Sequence, residues 1–274
     1  MTDGNSRTDG LRGVDLRLGY HGATVVRDAA ITLRPGAVTA LIGPNGSGKS
    51  TLLRGLARLH PLERGEVLLS DGTPARTLTA REFARRVTLL AQSRPTPSGV
   101  TVRDVVGYGR HPYRGRWRAD DPNGPAVIDR AMTVTGVTAM ADRPVGELSG
   151  GELQRVWLAT CLAQDTAVLL LDEPTTFLDL RYQVEILDLM RELADNDDIA
   201  VGVVLHDLNQ AAAVADEVVL LSAGRVRATG RPSDVLTEDV LTETYGIRIE
   251  VTVDPLTGLL STRPVGRHTS RALA

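Results

Sequence analysis

The stretch Gly43–Thr51 reads GPNGSGKST and lies between a short apolar run and a segment with helical spacing. The run before it, Ala37–Ile42, is rich in apolar residues and predicts a buried strand. The segment after it, Thr51–Leu59, has leucines at helical intervals. A strand, a G-x-x-x-x-G-K-S loop and a helix in this order predict a phosphate-binding loop, because glycines let backbone N–H groups converge on phosphate oxygens at the helix N-terminus.

Side chains of this loop have chemistry that suits a nucleotide. Lys49 is expected to reach the β- and γ-phosphates, and Ser50 to ligate Mg²⁺. Lys49 is the one lysine among 31 basic residues, all others being arginine, which indicates a place where a planar guanidinium does not replace a compact ammonium. The nucleotide-binding residues predicted here are Gly43, Pro44, Asn45, Gly46, Ser47, Gly48, Lys49, Ser50 and Thr51.

Two further apolar runs end in polar residues. Ala167–Glu173 (AVLLLDE) predicts a buried parallel strand with acids at its carboxyl end, where Asp172 would hold Mg²⁺ and Glu173 would polarise the attacking water. Ala200–Leu205 predicts a neighbouring strand that ends at His206, within reach of the γ-phosphate. Taken singly, a solvated acidic turn and a structural histidine are the alternatives.

A second glycine-containing helix start lies at Leu148–Arg155, LSGGELQR. The apolar residues that follow have helical spacing, so a helix begins at the glycines with Ser149 as its cap. This helix N-terminus is a second candidate anion site, yet the chain has one lysine. Two copies paired head-to-tail, each lending Ser149–Gly151 to the nucleotide of the other, would explain that combination.

These motifs resemble the ATP-binding subunit of ABC transporters over about residues 11–265, with Leu148–Glu152 as the family signature. The resemblance implies that ATP and Mg²⁺ are the cofactors. The motif residues match the family pattern, so a degenerate subunit that does not hydrolyse ATP is not expected. It assigns adenine stacking to Tyr20, sensing of Mg²⁺ and the γ-phosphate to Gln92, signalling between paired subunits to Asp179, and the switch histidine to His206. The alternatives are a surface tyrosine for Tyr20, a solvated strand end for Gln92 and a helix N-cap for Asp179. Asp179 could both cap a helix and signal between subunits.

The resemblance implies three sets of site residues. The catalytic residues are Glu173, His206, Gln92 and Lys49. The metal ligands are Ser50, Gln92 and Asp172. The nucleotide-binding residues, beyond the phosphate loop, are Tyr20, Ser149, Gly150, Gly151, Glu152 and Asp179.

The expected fold class is α/β: a P-loop NTPase core with a mostly parallel sheet, an N-terminal antiparallel β-region and an inserted helical subdomain. One domain is expected, flanked by disordered tails. Its parts are the core at 11–92 and 161–236, the helical subdomain at 93–160, the C-terminal extension at 237–265, and the tails at 1–10 and 266–274.

One segment within the expected helical subdomain has a second interpretation. Gly107–Arg118 (GYGRHPYRGRWR) interleaves arginines with aromatic residues, which by itself is typical of an RNA-binding patch. A solvated face and proximity to lipid headgroups are the other interpretations. Together with Thr176–Leu180, His206–Gln210 and Val251–Pro264, the segment is similar to the branch that imports ferric siderophores, haem or cobalamin.

Composition narrows the classes of protein further. A net charge of −3 does not attract nucleic acid, one cysteine excludes an intramolecular disulfide, and no apolar run is long enough to cross a bilayer. The resemblance implies as partners a second, identical ATPase subunit, an integral membrane permease at whose cytoplasmic face the chain would work, and indirectly a substrate-binding protein. An exporter subunit and a soluble ABC-type ATPase of a cytosolic assembly, such as iron–sulfur cluster machinery, are the alternatives.

Overall fold

The structure is a computed structural model that describes residues 10–92, 97–114 and 121–266. The strands of this described part are β1 (Leu11–Tyr20), β2 (Ala23–Leu33), β3 (Val38–Ile42), β4 (Arg64–Leu69), β5 (Val87–Leu90), β6 (Val168–Asp172), β7 (Ala200–Val204), β8 (Glu217–Ser222), β9 (Arg225–Gly230), β10 (Ile249–Val253) and β11 (Leu260–Pro264). The α-helices are α1 (Lys49–Leu56), α2 (Ala80–Ala84), α3 (Val102–Gly107), α4 (Gly124–Val134), α5 (Gly150–Ala163), α6 (Leu180–Asp197), α7 (Leu208–Val214), α8 (Pro232–Val235) and α9 (Glu238–Tyr245).

The central sheet has six strands in the order β5-β6-β7-β3-β8-β9, and every pair in it is parallel except β8 with β9. All residues of β3, β6 and β7 are buried, as expected for strands covered on both faces. Parallel strands end at one edge of a sheet, so the residues that follow β3, β5, β6 and β7 meet there. The expected mostly parallel α/β core is confirmed.

A second sheet near the N-terminus is antiparallel, with the order β2-β1-β4. Its inner face includes Leu16 and Leu18 and packs in one apolar cluster with Leu52, Leu53 and Leu56 of α1. The predicted helix after the glycine loop therefore exists, but it begins at Lys49 and ends at Leu56. The expected antiparallel β-region is confirmed.

Three helices between β5 and β6 form an apolar cluster of their own. Val105 and Val106 of α3, Met132 of α4 and Val156 of α5 belong to it. Helix α5 also contributes Leu158 to the large cluster around the central sheet. The inserted segment is thus helical where the structure describes it, while the domain boundaries given above stay predictions.

The C-terminal segment packs against the central sheet. Leu241 and Ile249 join the cluster that contains the strands β6, β7 and β8. The hairpin β10–β11 is held to α7 by Asn209, whose Oδ1 accepts from the Thr262 N–H at 2.7 Å. Strands β8 and β9 form a hairpin whose turn residues, Ala223 and Gly224, both have positive φ. Most of the two expected tails, residues 1–9 and 267–274, lies outside the described residues.

Candidate nucleotide site

The phosphate loop joins the carboxyl end of β3 to the N-terminus of α1, as the sequence predicts. Gly43 has φ +139, and a Cβ there would lie 2.0 Å from the Leu221 carbonyl oxygen. Gly46 and Gly48 also have positive φ, +77 and +101. The loop conformation therefore requires glycine at these positions.

The β8–β9 hairpin supports this loop from behind. The Gly224 N–H donates to the Ser47 carbonyl oxygen at 3.2 Å, and the Ser47 N–H donates to the Pro44 carbonyl oxygen at 3.2 Å. The Ser47 hydroxyl is buried and has no hydrogen-bond partner. A buried hydroxyl without a partner is costly, and a phosphate oxygen in the loop would satisfy it.

The N-terminus of α1 has no protein cap. Its N-cap residue is Gly48, which has no side chain, and no acidic residue occurs in the first turn. The first backbone N–H groups of a helix lack partners within the helix, and they carry partial positive charge. The residues fit a bound phosphate group.

Lys49 begins this helix and is buried, with 5% of its surface exposed. Its ammonium donates to the carbonyl oxygens of Gly43, at 2.8 Å, and Pro44, at 3.1 Å. Burial lowers the pKa of Lys49, and the carboxylates of Glu173 and Asp172 oppose that shift. The charge is therefore held inside the loop and close to both acids.

Ser50 and Asp172 form the pair expected to hold Mg²⁺. The Ser50 hydroxyl donates to Asp172 Oδ1 at 2.7 Å, and Arg54 Nη2 lies 3.5 Å from Oδ2. Within the described part of the chain, no three His, Cys, Asp or Glu side chains gather as a metal-binding group. A hydroxyl and a carboxylate suit Mg²⁺, which takes one or two protein oxygens and completes its shell with phosphates and water.

Glu173 lies next to this pair and is held through both carboxylate oxygens. Gln92 Nε2 donates to Oε2 at 2.5 Å, and His206 Nε2 lies 2.6 Å from Oε1. Thr176 Oγ1 lies 3.4 Å from Oε2. Glu173 has φ +54, so its side chain diverges from that of Asp172 on the preceding residue. The ends of β5, β6 and β7 thus bring together three of the predicted catalytic residues.

The predicted cap of α5 is present and involves the rest of the signature segment. Ser149 Oγ accepts from the Glu152 N–H at 3.3 Å, and Glu152 Oε2 accepts from the Ser149 N–H at 2.8 Å and hydroxyl at 2.8 Å. These bonds hold the pKa of Glu152 below its usual value. A Cβ on Gly151 would lie 2.5 Å from the Tyr182 ring, so only glycine lets α5 approach α6 this closely. Gly150 is the first residue of α5, and a Cβ there would meet nothing within 4 Å.

Asp179 caps α6, and its side chain accepts from the Tyr182 N–H at 3.1 Å. The hydrogen bonds described for Ser149, Glu152 and Asp179 run to one another, to Tyr182 and to Arg143, and none of these bonds reaches the phosphate loop. Asn45 and Thr51 lie within the loop and the first turn of α1. The roles of these residues in nucleotide binding stay predictions.

Tyr20 ends β1 and is 39% exposed. It contacts His60, with 4.2 Å between the ring centroids. Nothing in the sequence connects these two residues, because 41 positions separate His60 from Gly19 and only the packing of α1 on β1 brings them together. Arg54, 118 positions from Asp172, is a contact that the sequence does not predict for the same reason. Thr176 is only three positions from Glu173, but no motif in the sequence marks its contact with that carboxylate.

One arginine of the segment Gly107–Arg118, Arg110, is not exposed as the sequence pattern indicates. Arg110 is 3% exposed and donates to both Asp121 oxygens, at 2.7 and 3.0 Å, and to the Ala163 carbonyl oxygen at 2.9 Å. Its guanidinium lies 3.8 Å from the centre of the Tyr113 ring. For Arg110 the RNA, solvated-face and headgroup interpretations are therefore wrong, because the charge is taken up inside the fold. Residues 115–120 lie outside the described residues.

Comparisons with known proteins identify the family of the chain. The family model described as ABC transporter matches residues 26–176. The ferric enterobactin transport ATP-binding protein FepC of Escherichia coli is 42% identical over 97% of this chain and 97% of its own length. The probable siderophore transport system ATP-binding protein YusV of Bacillus subtilis is 42% identical over 92% of this chain and 91% of its own.

A solved structure supports the fold. The chain aligns with an inward-facing conformation of a metal-chelate type ABC transporter at a TM-score of 0.82 and 24% identity, covering 97% of this chain and 100% of the other. Across residues 10–92, 97–114 and 121–266, every helix is too short or too polar to span a bilayer.

Proposed function

We propose that this chain, which belongs to the ABC transporter family, drives the import of a ferric siderophore by hydrolysing ATP. The relatives named for ferric enterobactin and siderophore transport support this cargo, because they align over nearly the whole of both chains. Haem and cobalamin are the alternative cargoes. A soluble ATPase of a cytosolic assembly is not favoured, because these relatives are transport subunits.

The observation that carries the ATPase part is the placement of Glu173. Its carboxylate lies between Gln92 and His206, next to the Ser50–Asp172 pair. A carboxylate at this position accepts a hydrogen bond from a water molecule and orients it in line with the γ-phosphate. His206 and Gln92 hold the carboxylate and contact the γ-phosphate side.

The phosphate loop supplies the electrostatic part of catalysis. Backbone N–H groups at the α1 N-terminus and the Lys49 ammonium face the phosphate oxygens and stabilise the negative charge that grows there during transfer. Mg²⁺, held by Ser50, Asp172 and Gln92, supplies further charge neutralisation when it is bound. Lys49 exchanges its bonds to the Gly43 and Pro44 carbonyl oxygens for phosphate oxygens, which favour its charged form.

The working unit is a head-to-tail pair of identical chains. Ser149, Gly150, Gly151 and Glu152 of one copy meet the nucleotide on the loop of the other, and Asp179 lies at the contact between the two. In the described part of the chain the Ser149 hydroxyl bonds to Glu152 and not to the phosphate loop, which supports this arrangement. The pair docks on an integral membrane permease at the cytoplasmic face of the membrane and, through it, works with a substrate-binding protein, without nucleic acid.

Affinity purification from gently solubilised native membranes tests the transport part. The tagged wild-type chain and its Glu173→Gln variant, which we expect to retain the nucleotide and the closed pair, are compared by mass spectrometry of co-purifying proteins. A multi-spanning permease enriched with both supports import. Recovery of soluble scaffold proteins alone would be compatible with ATP hydrolysis but would contradict the proposed role in import.

The cargo is tested separately in cells that lack this chain. Uptake of a ⁵⁵Fe-loaded siderophore, haem and labelled cobalamin is measured with and without the restored gene. The proposal expects restoration of siderophore uptake by the wild type but not by the Lys49→Ala variant. Restoration of only haem or cobalamin uptake would reassign the cargo within the same branch.

A further inference from the structure

The end of α1 directs one side chain back toward β1. Arg58 has φ +57, and the N–H groups of Leu59 and His60 both turn back to the Arg54 carbonyl oxygen, at 2.9 and 3.2 Å. This turn places His60 beside the strand, where Nε2 lies 2.8 Å from the Gly19 carbonyl oxygen. Because a carbonyl oxygen only accepts, Nε2 carries the proton.

The same imidazole covers one side of Tyr20. The two ring centroids are 4.2 Å apart and the rings are tilted by 40°. His60 thus contacts both the backbone before Tyr20 and the ring of Tyr20 itself. Tyr20 remains 39% exposed, so part of its ring is free to stack.

Helix α1 connects this contact to the phosphate loop. Lys49 is its first residue, and His60 follows shortly after its last residue, Leu56. A helix of eight residues is about 12 Å long and does not stretch. The helix therefore sets the separation between the phosphate groups at one end and an aromatic platform at the other.

We propose that His60 is a positioning residue for the purine base of the nucleotide, acting by fixing the ring of Tyr20. This inference rests on the proposed function, in which Tyr20 stacks on adenine. A fixed aromatic ring loses less rotational freedom when a base stacks on it, so affinity for the base rises. The phosphates bind at the other end of α1 and gain nothing from His60.

The test compares ligands with and without a base. Dissociation constants of the full-length chain for ATP and for inorganic triphosphate, both with Mg²⁺, are measured by calorimetry for wild type and His60→Ala. We expect ATP binding to weaken about three- to tenfold, in line with a typical aromatic contact, and triphosphate binding to change by less than about twofold. Equal weakening of both ligands, or no weakening of either, overturns the proposal.

Conservative variants separate the two contacts of His60. His60→Gln keeps a donor for the Gly19 carbonyl oxygen, and His60→Phe keeps a ring against Tyr20, so each is expected to recover part of the ATP affinity. His111→Ala, at an exposed histidine of another segment, is the matched control and is expected to bind ATP as the wild type does. A His111→Ala effect as large as that of His60→Ala would overturn the specific role.

Tyr20→Ala distinguishes this inference from its premise. It is expected to weaken ATP binding, and adding His60→Ala to it is expected to cause no further loss, because both act through one ring. If Tyr20→Ala weakens ATP binding and His60→Ala does not, only the role of His60 falls. If Tyr20→Ala has no effect on ATP binding, the adenine role of Tyr20 and the role of His60 are both wrong. If the wild type binds neither ATP nor triphosphate, the proposed function is wrong.

Discussion

Helices α1 and α5 both begin next to glycines, and both N-termini are expected to meet phosphate, yet their ends differ. Helix α1 starts after Gly48 with no side-chain cap and no acid in its first turn. Helix α5 starts after Ser149 and already holds an anion of its own chain, the Glu152 carboxylate. Sequence patterns that look equivalent thus give one open anion site and one that is internally satisfied.

The difference indicates two modes of phosphate contact. At α1 the partial positive charge of the helix is available, so we expect a nucleotide to bind to one chain alone. At α5 an incoming phosphate group would have to share Ser149 with Glu152, which also has Arg143 as a partner at 3.1 Å. We therefore expect α1 to determine affinity and α5 to act when two chains close.

The largest expected effect separates binding from chemistry. In Glu173→Gln the open end of α1 is unchanged, so ATP affinity should stay within about threefold of the wild-type value. Turnover should fall about 10²- to 10⁴-fold, because the carboxylate that orients the attacking water is lost. Phosphate release and calorimetry measure the two quantities. Near-normal steady-state turnover in this variant would remove Glu173 from the reaction.

Loss of the charge at α1 is expected to have the next largest effect. Lys49→Ala should weaken ATP binding by about 10- to 100-fold, because charge-assisted hydrogen bonds to the phosphates are lost. Lys49→Arg is the matched control for charge, and a planar guanidinium should fail to restore affinity in this tight loop. Unchanged ATP binding in Lys49→Ala would contradict the assignment of the loop.

The cap of α5 allows a direct comparison with another helix. Thr101 and Asp104 cap α3 in the same way as Ser149 and Glu152 cap α5. Ser149→Ala and Thr101→Ala should each lower the free energy of unfolding by about 1 kcal/mol. Only Ser149→Ala should also reduce turnover, with ATP affinity unchanged, because α5 and not α3 is proposed to meet the nucleotide of the other copy. Equal turnover in the two variants would mean that Ser149 only caps α5 and has no role in hydrolysis.

The smallest expected effect is a pH dependence of stability. The pKa of Glu152 is held below its usual value of 4.5 by the Ser149 N–H and hydroxyl. A folded-state pKa below the unfolded one means that the stabilisation is complete above about pH 4.5 and is lost as pH falls through the folded value.

Melting curves from pH 3 to 7 measure this effect. The Glu152→Gln variant should lack this part of the acid sensitivity, amounting to less than about 1 kcal/mol since the group is partly exposed. An identical acid dependence in both proteins would show that the carboxylate contributes nothing through its charge.

Arg110 in the arginine-rich segment shows where prediction from the sequence fails. The segment's alternation of arginine and aromatic residues indicates a binding surface, but Arg110 is committed to Asp121 and to the Ala163 carbonyl oxygen, 53 positions away. Nothing local distinguishes an arginine that faces solvent from one that joins two elements. The same holds for His60, whose partner is on a strand 41 positions earlier.

The sequence by itself determined the parts that depend on neighbouring residues. The glycines of Gly43–Gly48, the apolar strand before Asp172 and the caps at Ser149 and Asp179 follow from backbone geometry and short-range hydrogen bonds. The meeting of the ends of β3, β6 and β7 at one sheet edge was also foreseeable, since parallel strands end together.

Only the tertiary structure decided which side chains meet. It placed Gln92 and His206 on the two oxygens of Glu173, the first of them 81 positions away, and it put His60 behind Tyr20. Such contacts depend on how all helices and strands pack at once, and local preferences, which act over a few residues, do not contain that information.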